Sequence, residues 1–143
     1  MTPKYIILHH SLTKDTKTVS WGAIRKYHTE VLNWRDIGYH VGIERIGDYT
    51  EILHGRSYNT QGAHCRGMNS ESLGVCFVGN YDIIKPTRTM WLTGAVLVNN
   101  LMEIYNIPLD RVQPHSKFSR KTCPGVLFDV DKFKDDVKRL THV

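Results

Sequence analysis

The sequence YIILHH, residues 5–10, joins a short apolar run to a pair of histidines. A run of apolar and β-branched residues of this length predicts a strand that is buried within a sheet. Functional groups often lie at the carboxyl ends of strands in open α/β sheets, where this strand would deliver His9 and His10. Because neighbouring side chains in a strand face opposite sides, we expect only one of the two histidines to point into a given site.

Outward from this strand, the sequence alternates between strand and helix patterns. Gly47-Asp48 is typical of the turn of a hairpin. Strands are predicted at 5–8, 39–46, 49–53, 73–78 and 112–114, and helices at 20–33, 89–105 and from 129 onward. The pattern predicts an α/β fold, in which a mixed central β-sheet is flanked by helices in a single domain over residues 1–143.

The first predicted helix begins at Ser20, whose hydroxyl can cap it. Apolar residues follow at helical spacing, and such a stripe predicts a face turned toward the core. The stripe consists of Ile24, Tyr27, Val31 and Leu32.

The composition is that of an ordinary folded domain, with 41% hydrophobic and 23% charged residues in a chain of 143. No apolar run approaches the roughly 20 residues of a membrane span. The N-terminus also lacks the pattern of a signal peptide. We therefore expect no membrane insertion and a protein that is cytoplasmic at synthesis, unless an export signal lies outside this sequence.

The formal net charge of +5 favours polyanionic partners, which include nucleic acid, anionic membranes and the acidic bacterial cell wall. Charge alone does not choose among them. A helix-turn-helix, zinc-finger spacing and an aromatic RNA-binding motif are all missing, so we expect no nucleic-acid partner. The basic residues around 132–139 alternate with acidic ones, which is typical of a solvated helix face.

The cysteines and histidines suggest a metal site. Three cysteines at irregular spacing argue against a disulfide framework and leave a thiolate free to bind metal. His9, His115 and Cys123 offer two imidazoles and a thiolate, the favoured ligands of Zn²⁺, and three protein ligands leave the fourth tetrahedral position for water. Residue types alone also allow His115 to be an ordinary loop histidine and Cys123 a small buried hydrophobic residue.

Five segments carry a resemblance to a known family. They are IILHHS (6–11), WRDIGYH (34–40), GAHCRGMN (62–69), SLGVCFVGN (72–80) and the stretch from His115 through KTCP (121–124). In this order, over about residues 5–128, the chain resembles the zinc amidases of the peptidoglycan recognition protein superfamily, and among them the small phage amidases known as phage lysozymes. Several motifs in order over nearly the whole chain form a specific signal.

The resemblance implies the main residues of an active site. The family's metal ligands fall on His9, His115 and Cys123, which implies one Zn²⁺ per chain. The tyrosine and lysine that assist catalysis in the phage amidases fall on Tyr39 and Lys121. The implied reaction is hydrolysis of the amide between the lactyl group of N-acetylmuramic acid and L-alanine of the stem peptide.

Further residues carry weaker expectations. His64, Arg66 and Asn69 lie in a segment that resembles a substrate-groove element, and ordinary loop packing explains them equally well. His10 is expected to be a neighbour of the site or a surface group. The remaining histidines are expected to be structural or on the surface: His28, His54 and His142.

Two other functions stay open beside the amidase. The first is a peptidoglycan receptor that binds without cutting, although non-catalytic members of the superfamily lack the cysteine that is present here as Cys123. The second, suggested by charge, is a nucleic-acid-binding protein. The expected enzyme is a phage or prophage endolysin that binds muramyl peptides, is a monomer and acts on the cell wall after release.

Overall fold

The computed structural model describes residues 1–12 and 20–140. Its elements alternate along the chain much as the sequence predicts, and two short 3₁₀ turns flank the last strand, at Leu109–Arg111 and His115–Lys117. The strands and helices are β1 (Tyr5–His10), α1 (Trp21–Lys26, continued by a π-helical turn at Tyr27–Val31), β2 (Val41–Ile46), β3 (Tyr49–His54), β4 (Ser72–Phe77), α2 (Arg88–Tyr105), β5 (Val112–Pro114) and α3 (Val130–Leu140).

The five strands form one sheet in the order β3-β2-β4-β1-β5. Strands β2 and β3 are the antiparallel hairpin predicted around Gly47-Asp48, and the other neighbours run parallel. The prediction of a mixed α/β sheet flanked by helices is therefore confirmed. In the described part of the chain, no helix is both long enough and apolar enough to cross a membrane.

Because side chains alternate along β1, its core residues and His9 lie on opposite faces of the sheet. Ile6 and Leu8 point into the larger apolar cluster, which packs the sheet against α2 and α3. His9 therefore points to the opposite face, where its register partner Cys76 belongs to the smaller cluster around Trp21. Both clusters are almost fully shielded from solvent, so β1 is a rigid support for His9.

Local chemistry fixes the helix ends. The Ser20 hydroxyl accepts a hydrogen bond from the amide of Ala23, as a cap should, and Thr87 does the same for Met90 at the start of α2. Asp129 caps α3 through the amide of Lys132. Asn106 ends α2 in the left-handed conformation, with φ of 55°, which asparagine tolerates better than most residues.

The predicted apolar stripe of the first helix is wrong in part. Ile24 is buried, but Tyr27 and Val31 are 53% and 61% exposed. The reason is that the α-helix gives way at Tyr27 to a π-helical turn, whose i→i+5 bonding is wider than the period used to place the stripe. The core contact is made instead by Trp21, whose ring lies where a side chain at Gly42 would have to stand.

Candidate metal centre

Two parallel strands bring the first two candidate ligands together. β1 and β5 are neighbours with Leu8 opposite Pro114, and the residue that follows each of these in the sequence is a histidine, His9 within β1 and His115 directly after β5. His9 and His115 consequently lie side by side, with their ring centroids 4.5 Å apart. The carboxyl edge of the sheet thus places both imidazoles in one site.

The third candidate comes from the loop that follows. Cys123 lies in this loop, and its Sγ is 3.8 Å from Nδ1 of His9. One ligand atom from each of His9, His115 and Cys123 lies within 4.8 Å of the other two. Two imidazole nitrogens and a sulfur at this spacing suit a tetrahedral zinc ion with one further ligand.

The hydrogen bonding of His115 also fits a metal site. Within residues 1–12 and 20–140, its Nδ1 is the one buried side-chain nitrogen or oxygen without a hydrogen-bond partner. Buried polar atoms are rarely left without a partner, since desolvation then costs about 1–3 kcal/mol. A metal ion bound between His9, His115 and Cys123 would supply the missing partner of this nitrogen.

Asp82 anchors the loop that carries Cys123. Its carboxylate accepts hydrogen bonds from the Thr122 hydroxyl at 2.8 Å and from the Val126 amide at 2.8 Å, on either side of the cysteine. The amide of Val126 is also the main cause that lowers the pKa of Asp82. The backbone amide of His10 donates to the Cys123 sulfur at 3.1 Å and ties the loop to β1. Sequence reasoning missed Asp82, because nothing along the chain links it to residue 122.

Burial sets the protonation states of the candidate ligands. It lowers the pKa of His9 well below its ordinary value, and burial followed by the charge of Lys121 lowers that of His115. Both imidazoles are therefore neutral near pH 7 and able to bind metal. Burial raises the pKa of the Cys123 thiol to about 12, so metal binding must displace its proton.

The buried histidines predict that the metal-free protein loses stability in mild acid. Burial is the main cause that lowers the pKa of each of His9, His10, His40 and His64, the last to about 3, against about 6.5 in the unfolded chain. Below about pH 6.5 the unfolded state binds more protons, so the free energy of unfolding decreases as the pH falls toward the folded-state values.

Urea unfolding with a chelator present measures this effect at about pH 7.5 and about pH 5. We expect a clearly lower midpoint at the acid value. An unchanged midpoint would contradict the burial of neutral histidines.

Tyr39 and Lys121, the two predicted catalytic residues, line the same cavity of about 590 Å³ as the three candidate ligands. The Tyr39 ring centroid is 5.1 Å from that of His9. Burial raises the pKa of the Tyr39 phenol well above its ordinary value, so the phenol keeps its proton. Lys121 is exposed at the rim, two residues before Cys123, and its charge acts on His115. The cavity thus combines the candidate metal ligands with a neutral hydrogen-bond donor and a cation.

The family model described as N-acetylmuramoyl-L-alanine amidase matches residues 1–126. The chain belongs to this amidase family. The match spans the sheet and the loop of Cys123, and it confirms the enzyme class predicted from the motifs.

Similar proteins include both enzymes and recognition proteins. Peptidoglycan-recognition protein SC2 of Drosophila melanogaster is 36% identical in an alignment 127 residues long, gaps included, that covers 85% of this chain and 67% of that protein. The endolysin of Enterobacteria phage K11 is 32% identical in an alignment 133 residues long, gaps included, that covers 88% of this chain and 82% of the endolysin. Among solved structures, the N-acetylmuramoyl-L-alanine amidase LysC from Clostridium intestinale matches with a TM-score of 0.85 at 27% identity, covering 96% of this chain and 87% of LysC.

The three predicted substrate residues of this amidase occupy different environments. His64 lines the cavity but is only 9% exposed. Asn69 uses its side-chain oxygen to hold the backbone amides of His64 and Cys65, at 2.8 and 2.9 Å. Arg66 is exposed and is not among the residues that line the cavity. Substrate contact by these residues stays a prediction.

Two other histidines of the amidase also reach the cavity. His28 lies at its wall, where its Nδ1 accepts the Gly38 amide at 3.0 Å. Its ring packs on Trp34, with 4.6 Å between centroids. His10 is buried and accepts the amide of Tyr81. His142, expected to be structural or on the surface, lies outside the described residues. The sequence around His28 shows only a helical pattern and does not indicate that His28 lines the cavity. His28 reaches the cavity wall because α1 packs against residues 34–39.

Proposed function

We propose that this chain is a zinc-dependent peptidoglycan hydrolase that cleaves the amide between N-acetylmuramic acid and L-alanine of the stem peptide. The observation that carries the proposal is the convergence of His9, His115 and Cys123, with ligand atoms within 4.8 Å, in the cavity of a chain that belongs to the amidase family. The unpartnered Nδ1 of His115 supports the same reading.

In this proposal His9, His115 and Cys123 hold one Zn²⁺. When bound, zinc supplies a Lewis acid and lowers the pKa of water toward about 7. In the hydrolysis, the oxygen of water bonds to the carbonyl carbon of the lactyl group, and the amide C–N bond breaks. One proton of water goes to the amine nitrogen of L-alanine and the other to the new carboxylic acid, which near neutral pH gives it up, mostly to the same amine, so that the products are a carboxylate and largely an ammonium group.

Tyr39 and Lys121 provide the remaining polar groups. The phenol of Tyr39 keeps its proton because burial raises its pKa, so it can donate a hydrogen bond to the oxygen that gains charge during attack. The ammonium of Lys121, at the rim of the same cavity, attracts that developing charge. Neither residue needs to change its protonation state for this role.

An adjoining cavity supports an extended substrate. It measures about 580 Å³ and shares Trp34 and Ala63 with the first. Arg56 lies in its wall and is held by the backbone carbonyls of Ile37, Gln61 and Asp36. A muramyl group with a stem peptide is long enough to use both spaces, and the fixed guanidinium suits an acidic peptide.

The receptor function is the second candidate, and similarity to a peptidoglycan-recognition protein favours it. The cysteine at position 123 speaks for catalysis instead, because three protein ligands that leave an open position are typical of catalytic zinc. We propose further that the enzyme is a monomeric phage or prophage endolysin acting on the wall after release, by similarity to the phage K11 endolysin, of which the match covers 82%.

Digestion of purified bacterial sacculi tests the proposal. We expect the zinc-loaded protein to release stem peptides that carry a new free amino group on L-alanine, with no new reducing sugar ends. A chelator should stop the release, and added zinc should restore it. New reducing ends would mean a glycosidase, and binding to sacculi without release in the presence of zinc would favour the receptor.

A further inference from the structure

A chain of buried hydrogen bonds leads from His9 into the sheet. Nε2 of His9 is 2.8 Å from Nδ1 of His64. Nε2 of His64 in turn lies 3.3 Å from the hydroxyl and 3.4 Å from the carbonyl oxygen of Ser72. The Ser72 hydroxyl donates its proton to the carbonyl oxygen of Met68, at 2.6 Å. The three side chains that form this series of hydrogen bonds are held within the fold, since His9, His64 and Ser72 are all buried.

Ser72, at the far end of this series of hydrogen bonds, determines which nitrogen of each histidine carries the proton. The Ser72 hydroxyl has one proton, which it gives to Met68, so toward His64 its oxygen can only accept. The Ser72 carbonyl oxygen also only accepts. His64 must therefore carry its proton on Nε2, and a neutral imidazole then has a bare Nδ1. That Nδ1 accepts, so the proton of neutral His9 lies on Nε2.

The bare nitrogen of His9 is then Nδ1, the atom 3.8 Å from the sulfur of Cys123. Metal binding needs an imidazole nitrogen without a proton, and the tautomer is set by the hydrogen bond of the other nitrogen. In His9 the nitrogen that carries the proton is turned to the buried His64, and the nitrogen without a proton lies beside the Cys123 sulfur.

A strand glycine makes room for this arrangement. Gly74 lies in β4, and a side-chain carbon built there would stand 2.6 Å from Cγ of His64 and 2.9 Å from its Nδ1. A larger residue at position 74 would displace the imidazole of His64 from its present place, within hydrogen-bond reach of His9. Two independent features thus fix the position of the His64 ring: the series of hydrogen bonds and the space left by Gly74.

We propose that His64 is a positioning residue that holds His9 in the tautomer with Nδ1 free for the metal. The inference rests on the proposed zinc site and adds to it a role for a residue outside the ligand group. It also gives His64 a task other than substrate contact.

Leucine and asparagine at position 64 form a matched pair that tests the hydrogen bond. The two side chains have the same branching and number of heavy atoms, but only asparagine has an oxygen near the place of Nδ1 to accept from His9. For His64→Leu we expect zinc to bind about 10–100-fold more weakly, as is typical when the partner of a ligand histidine is lost. For His64→Asn we expect a loss below about 10-fold, at or under the low end of that range.

Zinc affinity is measured by chelator competition on folded, metal-free protein, with His54→Leu as a control, because His54 is an exposed histidine at the end of β3. Equal losses in the leucine and asparagine variants would assign the effect to packing and overturn the proposal. Parental affinity in folded His64→Leu would overturn it as well.

Nitrogen-15 NMR of the metal-free parent at neutral pH provides a test that needs no variant. We expect His9 to be protonated on Nε2 and bare on Nδ1, and His64 likewise. The opposite tautomer of His9 would overturn the proposal even if both variants failed to fold. Absence of zinc binding by the parent would instead count against the proposed function, so the two failures are distinguishable.

Discussion

Cys123→Ser is expected to remove stable zinc binding and, with it, nearly all hydrolysis of sacculi. Cys123 supplies the only sulfur of the candidate ligand group in the described chain, and a serine hydroxyl is a poor ligand because it does not ionise readily. Loss of a partner of a ligand already costs about 10–100-fold in metal affinity or activity. We therefore expect loss of the ligand itself to reduce activity by more than about 100-fold. Metal content after dialysis and peptide release from sacculi measure the two effects.

Cys65→Ser is the matched control for this substitution. Cys65 is as buried as Cys123, at 2% and 6% exposure, but does not belong to the ligand group. We expect Cys65→Ser to keep one zinc per chain and to retain hydrolysis. If Cys123→Ser kept zinc and hydrolysed sacculi like the parent, the proposed metal site would be wrong.

Lys121→Ala is expected to keep zinc and to lose activity by about 10²–10³-fold, the usual cost of removing one group that stabilises an oxyanion. Lys121 lies at the rim of the cavity and is not one of the candidate ligands, so its removal leaves the metal group complete. Single-turnover rates at saturating, solubilised muramyl peptide separate this effect from weaker substrate binding.

The metal-free Lys121→Ala protein gives a second readout. The charge of Lys121 contributes to lowering the pKa of His115, after burial. Without that charge, the pKa of His115 should rise, which titration by NMR detects. Lys117→Ala controls for the loss of one positive charge nearby, because Lys117 is exposed and outside the cavity. Parental turnover in zinc-loaded Lys121→Ala would refute the catalytic role.

Local sequence chemistry was sufficient for most of the secondary structure. The cap at Ser20, the helix predicted from residue 129 onward and the turn at Gly47-Asp48 gave element ends that the structure confirms within a few residues. These signals work because a cap or a turn involves atoms only a few residues apart. The apolar stripe of the first helix was predicted wrongly in part for the same reason, because the spacing of Ile24 and Val31 does not indicate a π-helical turn.

The sequence by itself determined the chemistry that is present: a strand ending in histidine, a cysteine in a motif near the C-terminus, and a family resemblance over residues 5–128. Tertiary structure alone decided which groups touch. His64 meets His9 across 55 positions of the chain, and Asp82 meets Thr122 across 40. Such partners leave no local pattern, because hydrogen bonds between distant segments depend on how strands and loops pack, and packing is a property of the whole fold.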